Sequence, residues 1–309
     1  MSIKVGVIGV GYLGQYHAEK YMALSGAELV GVMDINPKRA ETVAKRCKCE
    51  AFAKLQSLLD KVEAVSIVVP THAHFTVAKT CLEKGKHVLL EKPMTTTLEE
   101  ADTLIDLAHK NNLIFQIGHL ERFNPAVIAL FPYLDNPLFI ESHRLGLSLE
   151  RGTDVDVILD LMIHDLDIVL ATVPAELVEV RAVGVPVVSK NIDIANVRLE
   201  FSNGCVANLT ASRISTKKMR KIRFFQKDAY FSLDYAQREL VIVKKESKNL
   251  LPFSHQVLKF ETDDPLKEEI RSFVQSIKEK KSPVISGEDG RDVLAIALEI
   301  NQCIQKSLG

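Results

Sequence analysis

The sequence predicts an α/β domain with a doubly wound parallel sheet, followed by an α+β domain with a large, mostly antiparallel open sheet. In the first 120 residues, short apolar runs that end at glycine or proline alternate with segments of helical periodicity, the pattern of βαβ units. Farther along the chain, strands of alternating polarity follow one another through compact turns. The 309 residues also exceed the size at which one hydrophobic core usually stops growing. We therefore expect two domains, at 1–120 and 121–309.

The first domain contains six predicted strands, most of them short and apolar. They are 3–8, 29–33, 49–52, 65–69, 87–90 and 113–117. The predicted helices between them are 12–24, one opened by Pro37, 75–84 with Gly85 as its cap, and 98–110. Right-handed crossovers through these helices give a parallel sheet that is covered on both faces.

The second domain is predicted to begin with helices near 124–134 and 155–170. Its predicted strands are 138–146, 177–188, 193–201, 205–213, 219–226, 229–234, 239–245 and a further one near 256–261. Ser202-Asn203-Gly204 and Lys227-Asp228 are predicted hairpin turns. Helices 265–281 and 289–306 end the chain, and the last is a candidate to pack back on the first domain.

Composition excludes several classes of partner. Charged residues make up 26% and the net charge is -1, so no basic surface for nucleic acid or an anionic membrane is expected. No apolar run reaches the ~20 residues of a membrane span, and the N-terminus lacks the pattern of a signal peptide. Five scattered cysteines fit a reducing compartment, and their spacing gives no metal site. We predict a cytoplasmic protein without a nucleic-acid partner, a membrane partner or a bound metal.

The segment from Gly9 to Gly14 has the spacing G-x-G-x-x-G, with Tyr12 and Leu13 at its variable positions. It follows a predicted strand and opens a predicted helix, the context in which this motif binds a dinucleotide. Gly9 permits the tight turn, Gly11 lets the backbone approach a pyrophosphate, and Gly14 allows close packing of helix on strand. The sequence thus predicts a Rossmann domain.

Asp34 lies at the end of the second predicted strand, where an acid hydrogen-bonds the adenosine ribose. Such an acid repels a 2′-phosphate, so NAD is favoured over NADP. Lys38 and Arg39 follow closely and can neutralise a 2′-phosphate, which keeps NADP as the alternative. A helix cap is the other role open to Asp34.

Other strand ends carry polar residues, and ligands sit at the carboxyl ends of strands in an open parallel sheet. Pro70, Thr71 and His74 follow the fourth strand, and Glu91 and Lys92 follow the fifth. We expect these five residues at the cofactor site. Lys92 can donate to a substrate hydroxyl or stabilise negative charge, although a solvated lysine at a strand end is the alternative.

Asp160 and His164 are four residues apart in an intensely apolar segment, so on a helix they share one face. A helix that is apolar nearly all round is buried, and buried polar groups are costly unless they are paired or used. The pair is therefore a general acid–base candidate. Two core residues that satisfy each other are the alternative.

Taken together, these motifs resemble the Gfo/Idh/MocA family, named after glucose–fructose oxidoreductase and inositol dehydrogenase. The matching pieces are Gly9 to Gly14, Pro70-x-x-x-His74, Gly85 through Glu91-Lys92-Pro93, and Asp160-x-x-x-His164. The resemblance implies that Lys92, Asp160 and His164 line the active site. It also implies that the large sheet forms the far wall and a dimer or tetramer interface.

Residues 118–125, 143–146 and 160–165 are similar to the branch of this family that oxidises the 3-hydroxyl of UDP-N-acetylglucosamine. This resemblance implies that His164 or Lys92 takes the hydroxyl proton while hydride passes to the nicotinamide, and that Asp160 orients the base. Substrate contacts would come from His119, Arg122, Asn124, Arg144 and His164. The basic run from Arg213 to Arg223 is a candidate for the pyrophosphate, although a solvated strand and turn is the alternative.

Two other functions remain open from the sequence. One is a dehydrogenase of a free sugar or polyol such as myo-inositol. The other is a nicotinamide-binding regulator without catalysis, which the presence of both Lys92 and His164 disfavours.

Overall fold

A computed structural model describes residues 2–147, 155–246, 252–260 and 264–308. The chain forms two compact units, Met1–Leu120 with Asp264–Asp292, and Glu121–Asp263 with Val293–Gly309. The assignment of 264–292 to the first unit departs from the expectation that 121–309 forms one domain. Within the described ranges, no helix has both the length and the apolar character needed to cross a membrane.

The first unit is built on a six-stranded, fully parallel sheet. Its strands are β1 (Ile3–Ile8), β2 (Ala27–Met33), β3 (Glu50–Phe52), β4 (Ala64–Ile67), β5 (His87–Glu91) and β6 (Phe115–Gly118). Their order in the sheet is β3-β2-β1-β4-β5-β6, with parallel pairing throughout. This order defines the Rossmann topology and confirms the predicted doubly wound sheet.

Helices cover this sheet. They are α1 (Gly14–Ala23), α2 (Pro37–Cys47), α3 (Leu55–Leu59), α4 (Thr71–Glu83), α5 (Leu98–Lys110) and α8 (Pro265–Glu279). Helix α3 was not predicted, because it is too short for a periodic pattern. Helix α4 begins four residues before its predicted start, because Pro70 is itself the N-cap.

Helix α8 belongs to the first unit because of its apolar face. Ile270, Phe273, Val274 and Ile277 have helical spacing, and all four lie in the hydrophobic core around β1 and α1. Asp264 caps the helix by accepting the N–H groups of residues 266 and 267.

The described strands of the second unit form an eight-stranded sheet. They are β7 (Phe139–Leu147), β8 (Leu177–Val185), β9 (Ile194–Phe201), β10 (Val206–Ser212), β11 (Ile214–Gln226), β12 (Ala229–Asp234), β13 (Glu239–Lys245) and β14 (Phe253–Lys259). Their order is β14-β13-β12-β11-β7-β10-β9-β8, and every pair except β7 with β10 is antiparallel. Both predicted hairpin turns are confirmed. The last strand begins at Phe253, three residues before the predicted start at 256. The predicted end at residue 261 lies outside the described ranges.

Helices α6 (Pro125–Leu130), α7 (Ile163–Thr172) and α9 (Gly287–Leu308) complete the second unit. One face of the sheet packs with α7, whose Leu166, Ile168 and Val169 are buried in the same core, and this explains why the segment is so apolar. From Val293 onward α9 also belongs to this unit, whereas the sequence made it a candidate to pack on the first domain.

The connection between β8 and β9 is held by Asp193, which is fully buried. Its carboxylate accepts the backbone N–H groups of Val187, Val188 and Ser189 at 2.7–2.9 Å, and the Ser189 hydroxyl at 2.7 Å. Burial alone would raise the pKa of Asp193, but these donors lower it to about 2.

We expect Asp193→Asn to lower the free energy of unfolding by about 2 kcal/mol at neutral pH, because charge-assisted hydrogen bonds are lost. A depressed pKa stabilises the fold above the ordinary value of 3.8, and this contribution disappears as the pH falls toward about 2. Urea unfolding at several pH values measures it, with the exposed Asp106→Asn as control. A difference that does not change between pH 7 and pH 3 would contradict the role of the charge.

Candidate active site

The glycine loop between β1 and α1 is as tight as the motif predicts. Gly9 has φ +83°, and a Cβ atom there would lie 2.5 Å from the Val68 carbonyl oxygen. A Cβ on Gly14 would lie 1.8 Å from the Gly9 carbonyl oxygen. Only glycine fits at these two positions. At Gly11 the nearest atom to such a Cβ is 3.7 Å away, so the backbone is open to a ligand at the N-terminus of α1.

Asp34 follows β2 and lies against this loop. Its side chain is 4% exposed and accepts the N–H of Val10 at 2.9 Å and the N–H of Asn36 at 2.8 Å. The Arg39 guanidinium is 3.6 Å away. The carboxylate is thus fixed beside the dinucleotide loop, where a negative charge opposes a 2′-phosphate.

A cavity of about 430 Å³ adjoins the loop within the first unit. It is lined by Val10, Gly11, Tyr12, Gln15, Asn36, Lys38, Arg39, Thr42, Val43 and Arg46. Its size falls in the range of small-molecule sites, and its cationic side chains suit a phosphate-bearing ligand. The loop, the carboxylate and this cavity together fit the adenosine diphosphate part of a dinucleotide.

His74, predicted at the cofactor site, is engaged with the backbone on both sides of its ring. It is 1% exposed, and its ring nitrogens lie 2.8 Å from the Pro93 carbonyl oxygen and 2.9 Å from the Val69 carbonyl oxygen. Burial lowers its pKa. With both ring nitrogens directed at the backbone, His74 links the start of α4 to the segment after β5, and its contact with a cofactor stays a prediction. Pro70 and Thr71 form the start of α4.

The end of β5 presents Lys92, which is half-buried and directly follows Glu91. His17 Nε2 on α1 lies 3.0 Å from Glu91 Oε1. Burial alone would raise the pKa of Glu91, but the hydrogen bond and charge of His17, with Lys92 and His74, lower it. The helix that begins at the glycine loop is thereby tied to the strand that carries Lys92.

Asp160 and His164 lie on either side of a change in helix type. Residues Ile158–Met162 form a π-helical turn, and α7 starts at Ile163. The sequence predicted one regular helix, and the structure corrects this to a π turn followed by an α-helix. That Asp160 and His164 share one face stays a prediction. Both residues are half-buried. A π turn re-aims side chains and is frequent at functional sites.

Arg144 and Arg122 are engaged in ion pairs inside the second unit. Arg144 donates from Nε and Nη2 to Asp165 at 2.9 and 3.0 Å, and from Nη1 to Glu121 at 3.0 Å. Arg122 donates to both oxygens of Asp167 at 2.9 Å. Both arginines are therefore held by buried carboxylates, and their role in positioning substrate stays a prediction. Asp165 and Asp167 are 2% and 0% exposed.

Asn124 and His119 were also expected to contact substrate. Asn124 is the N-cap of α6, where its side chain accepts the N–H of Ala126 at 3.1 Å. It is 4% exposed, and His119 in the first unit is 1% exposed. Both residues are therefore part of the interior.

The basic run from Arg213 to Arg223 divides into two groups. Arg213 is 1% exposed and donates to the Val155 carbonyl oxygen at 2.8 Å. Lys221 pairs with Asp234, and Arg223 pairs with Glu141. The remaining cations, Lys217, Lys218 and Arg220, are exposed.

His17 and Glu269 were not predicted as site residues, although their side chains lie near Glu91 in the first unit. The available signal was position: both sit on the buried face of an amphipathic helix, beside Ala18 and Tyr21 on α1 and beside Ile270 on α8. A polar residue on such a face needs a partner or a role.

Comparisons with known proteins identify relatives along the whole chain. Residues 3–119 match an oxidoreductase family with an NAD-binding Rossmann fold, and residues 148–231 match the GFO/IDH/MocA C-terminal domain. The chain is 41% identical to a UDP-N-acetylglucosamine 3-dehydrogenase of Acidithiobacillus ferrooxidans, across 100% of this chain and 99% of that protein. It is 26% identical to a myo-inositol 2-dehydrogenase of Thermotoga maritima, across 99% and 96%.

Solved structures agree with this result. The Acidithiobacillus ferrooxidans UDP-N-acetylglucosamine 3-dehydrogenase superposes with a TM-score of 0.94 at 40% identity, and 100% of both chains is covered. A levoglucosan dehydrogenase in complex with NADH and levoglucosan has a TM-score of 0.89 at 20% identity, covering 99% of this chain and 98% of that one, which shows the shared fold.

Proposed function

Because the chain belongs to the Gfo/Idh/MocA family of NAD-dependent oxidoreductases, we propose that it oxidises the 3-hydroxyl of UDP-N-acetylglucosamine to a ketone. The observation that carries this proposal is the 41% identity to a dehydrogenase of that substrate, which extends over both units of the chain. Bound NAD supplies the hydride acceptor.

The chain's own residues then have separate tasks in the proposal. The loop from Gly9 to Gly14 and the N-terminus of α1 bind the pyrophosphate of the cofactor, and Asp34 takes the adenosine ribose. Lys92 or His164 accepts the proton of the substrate hydroxyl, and the charge of Lys92 stabilises the developing oxyanion. Asp160 orients the base from the π turn.

NADH absorbance on mixing the protein with NAD and UDP-N-acetylglucosamine tests the proposal. We expect NADH to form with this substrate, and not with free N-acetylglucosamine, which has the same hydroxyl but lacks the nucleotide. UDP should compete with the substrate. A coupled aminotransferase or an added keto acceptor removes an unfavourable equilibrium, and no turnover under those conditions would refute the proposal.

A free polyol is the second candidate substrate, supported by the full-length similarity to a myo-inositol 2-dehydrogenase. In that case NADH forms with myo-inositol, and UDP does not inhibit. A regulator without catalysis would bind NAD but turn over neither compound.

We also propose a cytoplasmic homo-oligomer, a dimer or tetramer, formed through the outward face of the eight-stranded sheet. That face carries an aromatic group in which Phe225 lies 5.4 Å from Phe139 and 4.9 Å from Tyr230, between ring centroids. Val183 on β8 is 64% exposed. All five cysteines are free, which fits a reducing compartment. Light scattering of the purified protein gives the oligomer mass.

A further inference from the structure

Three titratable side chains meet inside the first unit, below the end of β5. They are His17 of α1, Glu91 of β5 and Glu269 of α8, and the nearest ligand atoms of all three lie within 4.8 Å of one another. His17 is 1% exposed and Glu269 is 0% exposed. Glu269 has no role in the proposed mechanism. It lies close to Glu91, however, and Glu91 immediately precedes Lys92.

Glu91 Oε1 is paired with His17 Nε2, although His17 Nδ1 has no hydrogen-bond partner among the described residues, whereas the Glu269 carboxyl group has no such pairing at all. Among the described residues, neither carboxylate oxygen of Glu269 has a hydrogen-bond partner. Its backbone carbonyl accepts from Gln116 Nε2 at 3.3 Å, and the nearby Tyr21 hydroxyl is bonded to Ser66 Oγ at 2.8 Å. An ionised carboxylate in that position is unfavourable by several kcal/mol unless a proton or a cation neutralises it.

We propose that Glu269 is a neutral carboxylic acid that shares its proton with the Glu91 carboxylate, and that this pair positions Lys92 at the end of β5. Because oxygens of the two carboxyl groups lie within 4.8 Å of each other, the acid O–H of Glu269 is directed to Glu91 in this proposal. Glu91 then accepts from His17 on one side and from Glu269 on the other, so that α1 and α8 both clamp the strand end.

The surrounding charges favour this state. The titratable groups that face the cluster are His17 and Tyr21 on α1, His74 on α4, and Lys92 beside Glu91. The Glu91 carboxylate balances the positive charge of Lys92, and a second carboxylate would lie against Glu91. Burial raises the pKa of Glu269 well above its ordinary value, and the negative charge of Glu91 raises it further.

A divalent cation is the other way to neutralise Glu269. Structural zinc sites take four protein ligands, and calcium takes six to eight oxygens. In the part of the chain that the structure describes, the cluster offers three ligating side chains. One shared proton satisfies the pair without further ligands.

Stability against pH tests the protonation state. A carboxyl group whose pKa is raised in the folded state imposes no cost below its ordinary value of 4.5, and a growing cost as the pH rises above it toward the folded pKa. Glu269→Gln keeps the volume and an N–H donor but cannot ionise. We therefore expect the melting temperature of this variant to rise relative to the wild type between pH 5 and alkaline pH, and then to level off.

The exposed Glu41→Gln on α2 is the matched control and should show no such trend. An infrared difference spectrum at neutral pH gives a direct readout. The C=O stretch of a protonated carboxylic acid should be present in the wild type and absent in Glu269→Gln. A missing acid band, or a relative melting temperature that falls with pH, would overturn the proposal. So would stoichiometric metal in the purified protein whose removal by a chelator destabilises the wild type and not the variant.

Activity tests the positioning of Lys92, and this step rests on the proposed function. Glu269→Leu should lower kcat by about 10- to 100-fold, the effect of a slightly misplaced catalytic group, while KM for NAD changes little. Glu269→Gln should restore kcat and the wild-type pH profile, and equal loss in both variants would exclude a shared proton. The infrared and melting experiments need no substrate, so they remain informative if the enzyme acts on a different sugar.

Discussion

Replacement of Lys92 by alanine is expected to lower kcat by about 10²- to 10⁴-fold, the usual contribution of a positioned acid–base group. The side chain follows β5 at the carboxyl edge of the parallel sheet, and its cation is held beside Glu91, which His17 orients. NAD affinity should change much less, because the glycine loop and Asp34 remain. Single-turnover NADH formation and fluorescence titration of NADH separate the two effects.

A second substitution at the same position distinguishes two roles for the amine. Lys92→Arg retains the positive charge but cannot accept a proton at neutral pH. If Lys92 is the base, this variant is as slow as Lys92→Ala; if it stabilises charge, part of the rate returns. Lys84→Ala at the exposed end of α4 is the matched control. Wild-type turnover in Lys92→Ala would refute the mechanism.

Arg144→Leu is expected to lower the free energy of unfolding by about 3–5 kcal/mol, because it leaves buried carboxylates without their cation. Burial alone would lower the pKa of Arg144, but Asp165 and Glu121 raise it above its ordinary value. The guanidinium also lies 4.8 Å from the Tyr235 ring centroid. Chemical unfolding measures the change.

The exposed pair of Arg181 and Glu179 provides a matched control, since it has the same two-bond geometry at 2.7 and 3.1 Å. Arg181→Leu should leave stability almost unchanged, because an exposed ion pair is screened by solvent. Combining Arg144→Leu with Asp165→Leu should recover most of the stability, since the buried charge is removed with its partner. If Arg144→Leu melted like the wild type and only KM for the sugar rose, the original expectation of substrate binding would be correct.

The sequence predicted the strands well because they are short, apolar and separated by glycine or proline, and because the G-x-G-x-x-G loop fixes where β1 ends. It predicted the segment around Asp160 as one regular helix. Periodicity does not distinguish a π turn from an α turn, since both place apolar residues all round a buried segment. Helix α8 was predicted as an element but not as part of the first unit, because an apolar stripe does not identify the surface it covers.

In the candidate site too, some features could be predicted from the sequence and others could not. The glycines and Asp34 were predictable because a phosphate-binding loop requires local backbone geometry, which is written in consecutive residues. Arg144 and Asp165 were not recognised as partners because they lie on a strand and a helix far apart in sequence, and only the fold brings them together. The sequence therefore does not show which acid neutralises a cation in a motif.

The hydrophobic core of the Rossmann unit includes α8, so its packing depends on residues made long after β6. During synthesis the first 120 residues can pair their strands, but the face that Ile270 and Phe273 fill stays uncovered until α8 has left the ribosome. Domains otherwise tend to fold in the order in which they are made. Here the dinucleotide-binding unit is completed only after the whole eight-stranded sheet has been translated. A nascent chain stalled within that sheet would still expose the apolar face of the Rossmann unit that α8 covers.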